Sequence, residues 1–260
     1  MSELVHVQSH GPVRELRLAR PPVNALDDAL CAALLQALAD AFADDAVSGV
    51  VLSGNDSVFS GGLDVPHLIS HGRDRAALHA TWSAFFDVAK AIAAAPVPVA
   101  FALTGHAPAG GCVLALCGDY RVMCRSADPA RPLQIGLNET QVGLAVPDGI
   151  QHLMRRVIGA HRASLLLVPG AMVSAEHALQ IGLVDALADD AAATVQHAVD
   201  WLRSLTRLPQ TPLRKTRQVA RADLGIALDS VVLDEFIDDW FGPDTQAALQ
   251  AMAARLRKSR

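Results

Sequence analysis

Along the first half of the chain, hydrophobic positions fall into short alternating or continuous runs, and along the second half they take up helical spacing. Leu4-Val5-His6-Val7-Gln8 and Val13-Arg14-Glu15-Leu16-Arg17-Leu18 alternate in part around His10-Gly11-Pro12, which predicts two strands joined by a turn. Leu30, Leu34, Ala37 and Ala41 then recur three and four residues apart behind Asp27 and Asp28, the pattern of a capped helix running to about Phe42. A short apolar run, Gly49-Val50-Val51-Leu52, leads to a glycine turn at Ser60-Gly61-Gly62. Residues from about 75 to 94 read as a helix, which Pro96 and Pro98 stop because neither has the N–H needed to continue it. Val99-Ala100-Phe101-Ala102-Leu103 is short and apolar enough for a buried strand. Ala107-Pro108-Ala109-Gly110-Gly111 leads into a buried helix through Leu116, and Tyr120–Cys124 reads as another strand. From about residue 150 the pattern is mainly helical, with Ser174 as an N-cap before Ala175-Glu176-His177-Ala178-Leu179 and Gly182 as a stop. The order predicts an α/β fold with a C-terminal helical layer and no solenoid repeat.

Composition narrows the function classes. A chain of 260 residues, 51% hydrophobic and 19% charged, can bury a sizeable core as one large domain or one domain with a helical appendage. With only 4% aromatic residues, alanine, leucine and valine must build that core. The net charge of −5 and the lack of a sustained basic run argue against a nucleic-acid partner. The one basic stretch, Arg255-Leu256-Arg257-Lys258-Ser259-Arg260, suits a helix C-terminus. Cys31, Cys112, Cys117 and Cys124 lack the paired spacing of a zinc site and are expected to be reduced and packed. The start, Met1-Ser2-Glu3-Leu4, shows no charged leader, and no apolar run is long enough to span a bilayer, so a cytoplasmic protein with no membrane partner is expected.

Three segments carry candidate chemistry. In Phe59-Ser60-Gly61-Gly62-Leu63-Asp64, glycines allow a tight turn that exposes backbone N–H groups, although an ordinary strand-ending turn would look the same. Ala109-Gly110-Gly111-Cys112 sits where a helix should start, so its unsatisfied N–H groups favour a developing anion; close helix packing is the competing explanation. The spacing does not fit a dinucleotide fingerprint. Ile135-Gly136-Leu137-Asn138-Glu139-Thr140-Gln141-Val142-Gly143 places one carboxylate among small and apolar neighbours, where desolvation would suit it to general-base work. Taken alone, Glu139 reads more readily as a solvated loop residue.

In this order and at these separations, the segments resemble the crotonase (enoyl-CoA hydratase/isomerase) superfamily. The likeness runs from Arg20-Pro21-Pro22-Val23-Asn24-Ala25-Leu26 to the helix-turn segment ending at Asp185. It implies a crotonase-type spiral of repeated ββα units over residues 1–195 holding an acyl-CoA site. Residues 196–260 would form a helical oligomerisation region, giving a homotrimer or a dimer of trimers. It further implies that the backbone N–H groups of Leu63 and Gly110 hold the thioester oxygen and that Glu139 is the catalytic acid/base. Val23, Ala25, Gly61, Asp64, Val65 and Gly111 become substrate or CoA contacts. Coenzyme A is part of the substrate, and no metal or redox cofactor is implied.

Two departures from the family pattern matter. The second carboxylate used by hydratases falls here on Val113, and Pro66 stands near where many relatives place a phosphate-contacting lysine. Arg73, Arg75 or the C-terminal basic residues are the substitutes for that lysine. Glu139 acting alone suffices for isomerisation, and Gly136–Gly143 with Ala107–Cys112 resemble the mitochondrial-type 3,2-enoyl-CoA isomerase branch. The expected reaction is therefore conversion of 3-enoyl-CoA to 2-trans-enoyl-CoA in fatty-acid oxidation. The alternatives are a hydratase or another enolate-forming enzyme of the same fold, and, in another class, a non-catalytic acyl-CoA or RNA-binding module. Asp64 and His106 are expected in turn and packing roles, and Asp148 as a nucleophile only in a dehalogenase-like relative. The acyl-tail pocket is expected between about Pro66 and Phe86.

Overall fold

The computed structural model describes residues 3–258, with side chains described as far as residue 251. A six-stranded sheet runs in the order β1 (Val5–His10), β2 (Val13–Leu18), β3 (Gly49–Ser53), β4 (Val99–Leu103), β6 (Tyr120–Cys124) and β9 (Ala186–Ala188). Only the β1–β2 hairpin is antiparallel. Gly11, at φ +64°, makes its turn. A smaller sheet joins β5 (Ala107–Pro108), β7 (Gln134–Gly136) and β8 (Val173–Ser174).

A strand in the large sheet, a short strand in the small one, and a helix make up each turn of the chain. β4, β5 and α4 (Gly110–Leu116) form one such unit. β6, β7 and α5 (Asp148–Ile158) form the next, and β3 enters the series through the Val58–His106 bridge, ahead of α2 (Val65–Ser70) and α3 (Arg75–Ala93). This is the ββα spiral that the sequence resemblance implies.

The continuous apolar runs of β3 and β4 follow from burial on both faces. Val50, Leu52, Val99, Phe101 and Leu103 point into the main core with α1 (Asp28–Ala43), α3 and α4. Their neighbours Val51, Ala100 and Ala102 point the other way, onto Ala198, Val199 and Leu202 of α8 (Ala191–Thr206). α8 thus completes the sheet, and an expected division at residue 195 would cut through it. The helices that follow, α9 (Gln210–Ala220), α10 (Ala222–Asp229), α11 (Leu233–Trp240) and α12 (Pro243–Lys258), are no separate layer either. Leu224, Leu228, Phe236, Ile237, Trp240 and Leu249 belong to the same buried cluster as the spiral. The apolar faces of α10, α11 and α12 are spent inside the molecule, while α9 buries none of its residues, and 1–195 and 196–260 share one core.

Helix boundaries obey the caps read from sequence. Asp27 accepts from the Leu30 N–H, and Ser174 accepts from the His177 N–H at the start of α7 (Ala175–Ile181), which Gly182 ends at φ +78°. The short α2, β8 and β9, and the 3-10 turn Glu139–Val142, are additions to the sequence reading, as is the separation of α5 from α6 (Ala160–Leu167) at Gly159. All four cysteines are free and buried. Burial pushes the Cys31 and Cys117 thiols up to about 12, so neither is a thiolate near neutrality. Among the described residues no helix is long and apolar enough to cross a membrane.

Candidate active site

The first glycine segment is held by the chain that precedes α1. Asn24, itself at φ +49°, donates from Nδ2 to the Phe59 carbonyl, and Ser60 Oγ donates to the Asn24 carbonyl. Leu26 forms a parallel bridge with Leu63, donating to the Gly62 carbonyl and accepting from the Asp64 N–H. In such a bridge the N–H of the facing residue points to the opposite side, so the Leu63 N–H is turned away from Leu26. It has no acceptor among the described residues. Gly62, at φ +82°, makes the turn.

The second segment lies directly beside it. A Cβ on Gly62 would come within 3.2 Å of the Gly110 nitrogen, and one on Gly110 within 3.3 Å of the Gly62 Cα. Gly110 opens α4, so its N–H has no partner within the helix. Ala109 ahead of it holds φ +45° and ψ −117°, an unusual conformation for a residue with a side chain, and donates its own N–H to the Gly136 carbonyl. The Leu63 and Gly110 N–H groups are therefore two unengaged donors on adjoining segments.

Both segments border one cavity of about 950 Å³. Val23, Ala25, Gly61, Leu63, Asp64, Val65, Gly110 and Glu139 all line it, so the structure gathers eight of the nine site residues expected from sequence. Gly111 is the exception. A Cβ there would meet the Ser60 carbonyl oxygen at 2.8 Å, so this glycine serves close packing of α4 against the first segment and does not face the cavity. Asp64 keeps its carboxylate for the fold: it caps α2 through the His67 N–H and pairs with Arg20 at 2.8 Å, as Asp27 also does.

Glu139 stands at the head of the 3-10 turn between β7 and α5. Thr140 Oγ1 donates to the Leu167 carbonyl and Thr245 Oγ1 of α12 to the Gly143 carbonyl, which pins the turn at both ends. Glu139 is partly exposed as a whole residue, yet its Oε2 is buried with no hydrogen-bond partner. Burial pushes this carboxyl up to about 7 from 4.5, with its own backbone N–H acting in the opposite direction. Cys112 feels the same charge: burial first, then Glu139, push its thiol up. Val113 also lines the cavity, and no second acidic side chain is provided from that position.

One side of the cavity is apolar. Pro66, Leu68, Ile69, Trp82, Phe85 and Phe86 line it, in the stretch expected from sequence. Val142, Leu144, Ile150, Phe236 and Trp240 complete it and were not anticipated. The signal available for the last two was the apolar spacing of Phe236, Ile237 and Trp240, which marks a buried helix face without saying what it covers.

The phosphate-contact candidates are not gathered in the same way. Arg73 is exposed, whereas Arg75 pairs with Asp238 at 2.7 Å and lies over the Phe241 ring. The side chains of Arg255, Arg257, Lys258 and Arg260 lie outside the described residues. His106 Nδ1 accepts from the Gln134 N–H, a packing role, and Asp148 heads α5 beside Arg155. A smaller cavity of about 300 Å³ touches Arg121, Arg156, Arg217 and Arg221, whose guanidinium groups are occupied by Asp185, Asp223 and Asp119.

The chain is similar to known proteins in sequence and in fold. Over 267 residues the chain is 28% identical to the human (Homo sapiens) protein "Enoyl-CoA delta isomerase 1, mitochondrial", covering 99% of this chain and 84% of that one. It is 34% identical over 184 residues to the Mus musculus protein of the same name, there covering 70% of this chain and 62% of the relative's length. The crystal structure of human mitochondrial delta3-delta2-enoyl-CoA isomerase superposes with a TM-score of 0.87 at 26% identity, covering 99% of both chains. The family pattern described as enoyl-CoA hydratase/isomerase matches residues 8–233, a span that takes in both glycine segments, Glu139 and the first residue of α11. On that match the chain belongs to the enoyl-CoA hydratase/isomerase family.

Proposed function

We propose that the protein is a 3,2-enoyl-CoA isomerase that uses Glu139 as its only proton shuttle. The observation that carries this reading is a single desolvated carboxylate, with Oε2 unpartnered, in a cavity where Val113 supplies no second acid. Hydration profits from two groups that hold and activate a water, whereas moving a double bond needs one base that takes a proton and returns it elsewhere. Glu139 removes a proton from C2 of the 3-enoyl thioester. The electron pair spreads over the dienolate and onto the thioester oxygen, which the Leu63 and Gly110 N–H groups hold; a pre-set donor of this kind lowers a barrier by roughly 3 to 4 kcal/mol. The proton then returns at C4, giving the 2-trans-enoyl thioester and restoring the carboxylate. Relatives named enoyl-CoA delta isomerase at 28% and 34% identity support the same choice.

The protein acts in fatty-acid oxidation, in the cytoplasm, as a homotrimer or a dimer of trimers. Exposed apolar residues Val219 and Ile226 on α9 and α10 support such an assembly. Purified protein given 3-enoyl-CoA and 2-enoyl-CoA separately tests the reaction. The 3-enoyl substrate should yield the 2-enoyl isomer, and 3-hydroxyacyl-CoA as the main product would overturn the proposal. Glu139→Gln should lower kcat by roughly 10²–10⁴-fold while leaving acyl-CoA binding intact.

A further inference from the structure

Beside the cavity wall that α2 helps to form, two histidines and an aspartate that do not line the cavity converge. His67 lies in α2, and His71, four residues on, is its C-cap with helical backbone at φ −67° and ψ −15°. Residues at that spacing project from one helix face. Their rings meet edge to face with centroids 4.6 Å apart. Asp28, the first residue of α1, brings Oδ2 to 2.9 Å from His67 Nε2. One donor atom from each of the three residues lies within 4.8 Å of the other two.

An ordinary ion pair accounts for Asp28 and His67, and Thr81 holds Nε2 of His71, but neither contact calls for two imidazole rings packed against each other beside one carboxylate. A second imidazole packed against the first is a poor device for pairing with one carboxylate, because two protonated rings in contact would repel. Each of the three groups offers one donor atom, two imidazole nitrogens and a carboxylate oxygen, which together make an N₂O set. That set suits a borderline divalent cation such as Zn²⁺, bound by three protein ligands with a fourth position open to solvent. Ligand bonds of about 2.0–2.2 Å put donors roughly 3.4 Å apart, so the widest-spaced donors need close by up to about 1.4 Å. Asp28 is exposed and both histidines are partly so, which leaves the rotamer freedom and the entry path for an ion. Thr81 of α3, buried behind the triad, places Oγ1 3.1 Å from His71 Nε2 and orients that ring, as outer partners of metal-binding histidines do.

We propose that Asp28, His67 and His71 form a binding site for a divalent transition-metal ion of the Zn²⁺ class, separate from the reaction centre. The ion ties α2 to α1. α2 carries Leu68 and Ile69 of the cavity wall and follows Leu63 by one residue, so the site fixes the wall without taking part in the proton transfer.

Full-length protein freed of metal with a chelator and titrated with ZnCl₂ tests this by calorimetry, and CoCl₂ reports coordination through its visible absorption. The wild type should take up one equivalent with a raised melting temperature, show the cobalt bands of a low-coordinate site, and keep its activity when metal-free. His67→Ala with His71→Ala should lose that equivalent and the bands, whereas His79→Ala, an exposed histidine on α3 outside the triad, should keep both. Should the double variant fail to fold, Asp28→Asn decides the matter: it retains a hydrogen bond to His67 but should weaken zinc binding roughly 10-fold or more. The proposal is overturned by a wild type that takes up no stoichiometric zinc. Equal zinc and cobalt behaviour in wild type, double variant and Asp28→Asn would overturn it too, leaving the Asp28–His67 contact as a plain ion pair.

Discussion

At the scale of the residue, the environment of Glu139 links function to stability. Its carboxyl, moved from 4.5 to about 7 by burial, keeps a proton in the folded chain that the unfolded chain has already lost. Between those two values the folded state holds more protons, so stability falls as pH rises through the window and levels off above 7, at a total cost of about 3 kcal/mol. Glu139→Gln has no charge to desolvate. It should therefore be more stable than the wild type by up to about 3 kcal/mol at about pH 8 and no different near pH 4.5. Urea unfolding at the two pH values reads this difference, and parallel stability at both would mean the carboxylate is solvated. Because the base must be ionised, kcat/KM should rise with pH to a half-maximal value near 7. A profile flat across that range would remove Glu139 from the role. The sequence alone did not distinguish Glu139 from a solvated loop glutamate. Its special character comes from burial in the folded chain, where Val113 and Trp240, far from it in sequence, line the same cavity.

At the scale of the element, the start of α4 is where local preference and function part company. Ala109 holds φ +45°, a conformation that glycine would adopt without strain, while its N–H is tied to Gly136 and the next N–H, that of Gly110, faces the cavity region. Strain of this kind costs about 1–3 kcal/mol, and glycine would add back about 0.5–1 kcal/mol of unfolded-state entropy. Ala109→Gly should thus stabilise the fold by about 1 kcal/mol while loosening the donor behind it, with kcat down roughly tenfold. Denaturant unfolding and steady-state kinetics together check this, and a destabilised variant would refute the strain. The elements legible in sequence were those that announce their own ends: Asp27 before α1, Pro96 and Pro98 after α3, Ser174 and Gly182 around α7. Those that were not legible, α2, β8, β9 and the 3-10 turn, run from 2 to 6 residues each. They are fixed by bonds to remote segments, such as Thr245 to Gly143, which local periodicity does not encode.

At the scale of the whole molecule, the C-terminal helices are part of the site. The sequence showed them as helices and the family resemblance assigned them to assembly, because amphipathic spacing reports that a face is buried and not against what. The structure lays α11 over α3, with Phe236 edge-on to Trp82 at 4.4 Å between centroids, and sets α12 against the turn that carries Glu139. The cavity is thus closed by a segment more than a hundred residues from the Leu63 and Gly110 N–H groups, and its depth depends on the side chain at 236. Phe236→Ala removes a buried aromatic wall, which should cost about 3 kcal/mol. Because Phe236 borders the cavity, the lost ring volume opens onto space the acyl tail can enter, and the substrate itself refills part of the hole. The kcat/KM optimum across a series of straight-chain 3-enoyl-CoA substrates should therefore move to longer tails, while the proton transfer at Glu139, which Phe236 does not carry out, keeps its pH dependence. A folded Phe236→Ala protein with an unchanged chain-length optimum would mean that the tail never reaches α11 and that the limit on chain length lies within the stretch from Pro66 to Phe86.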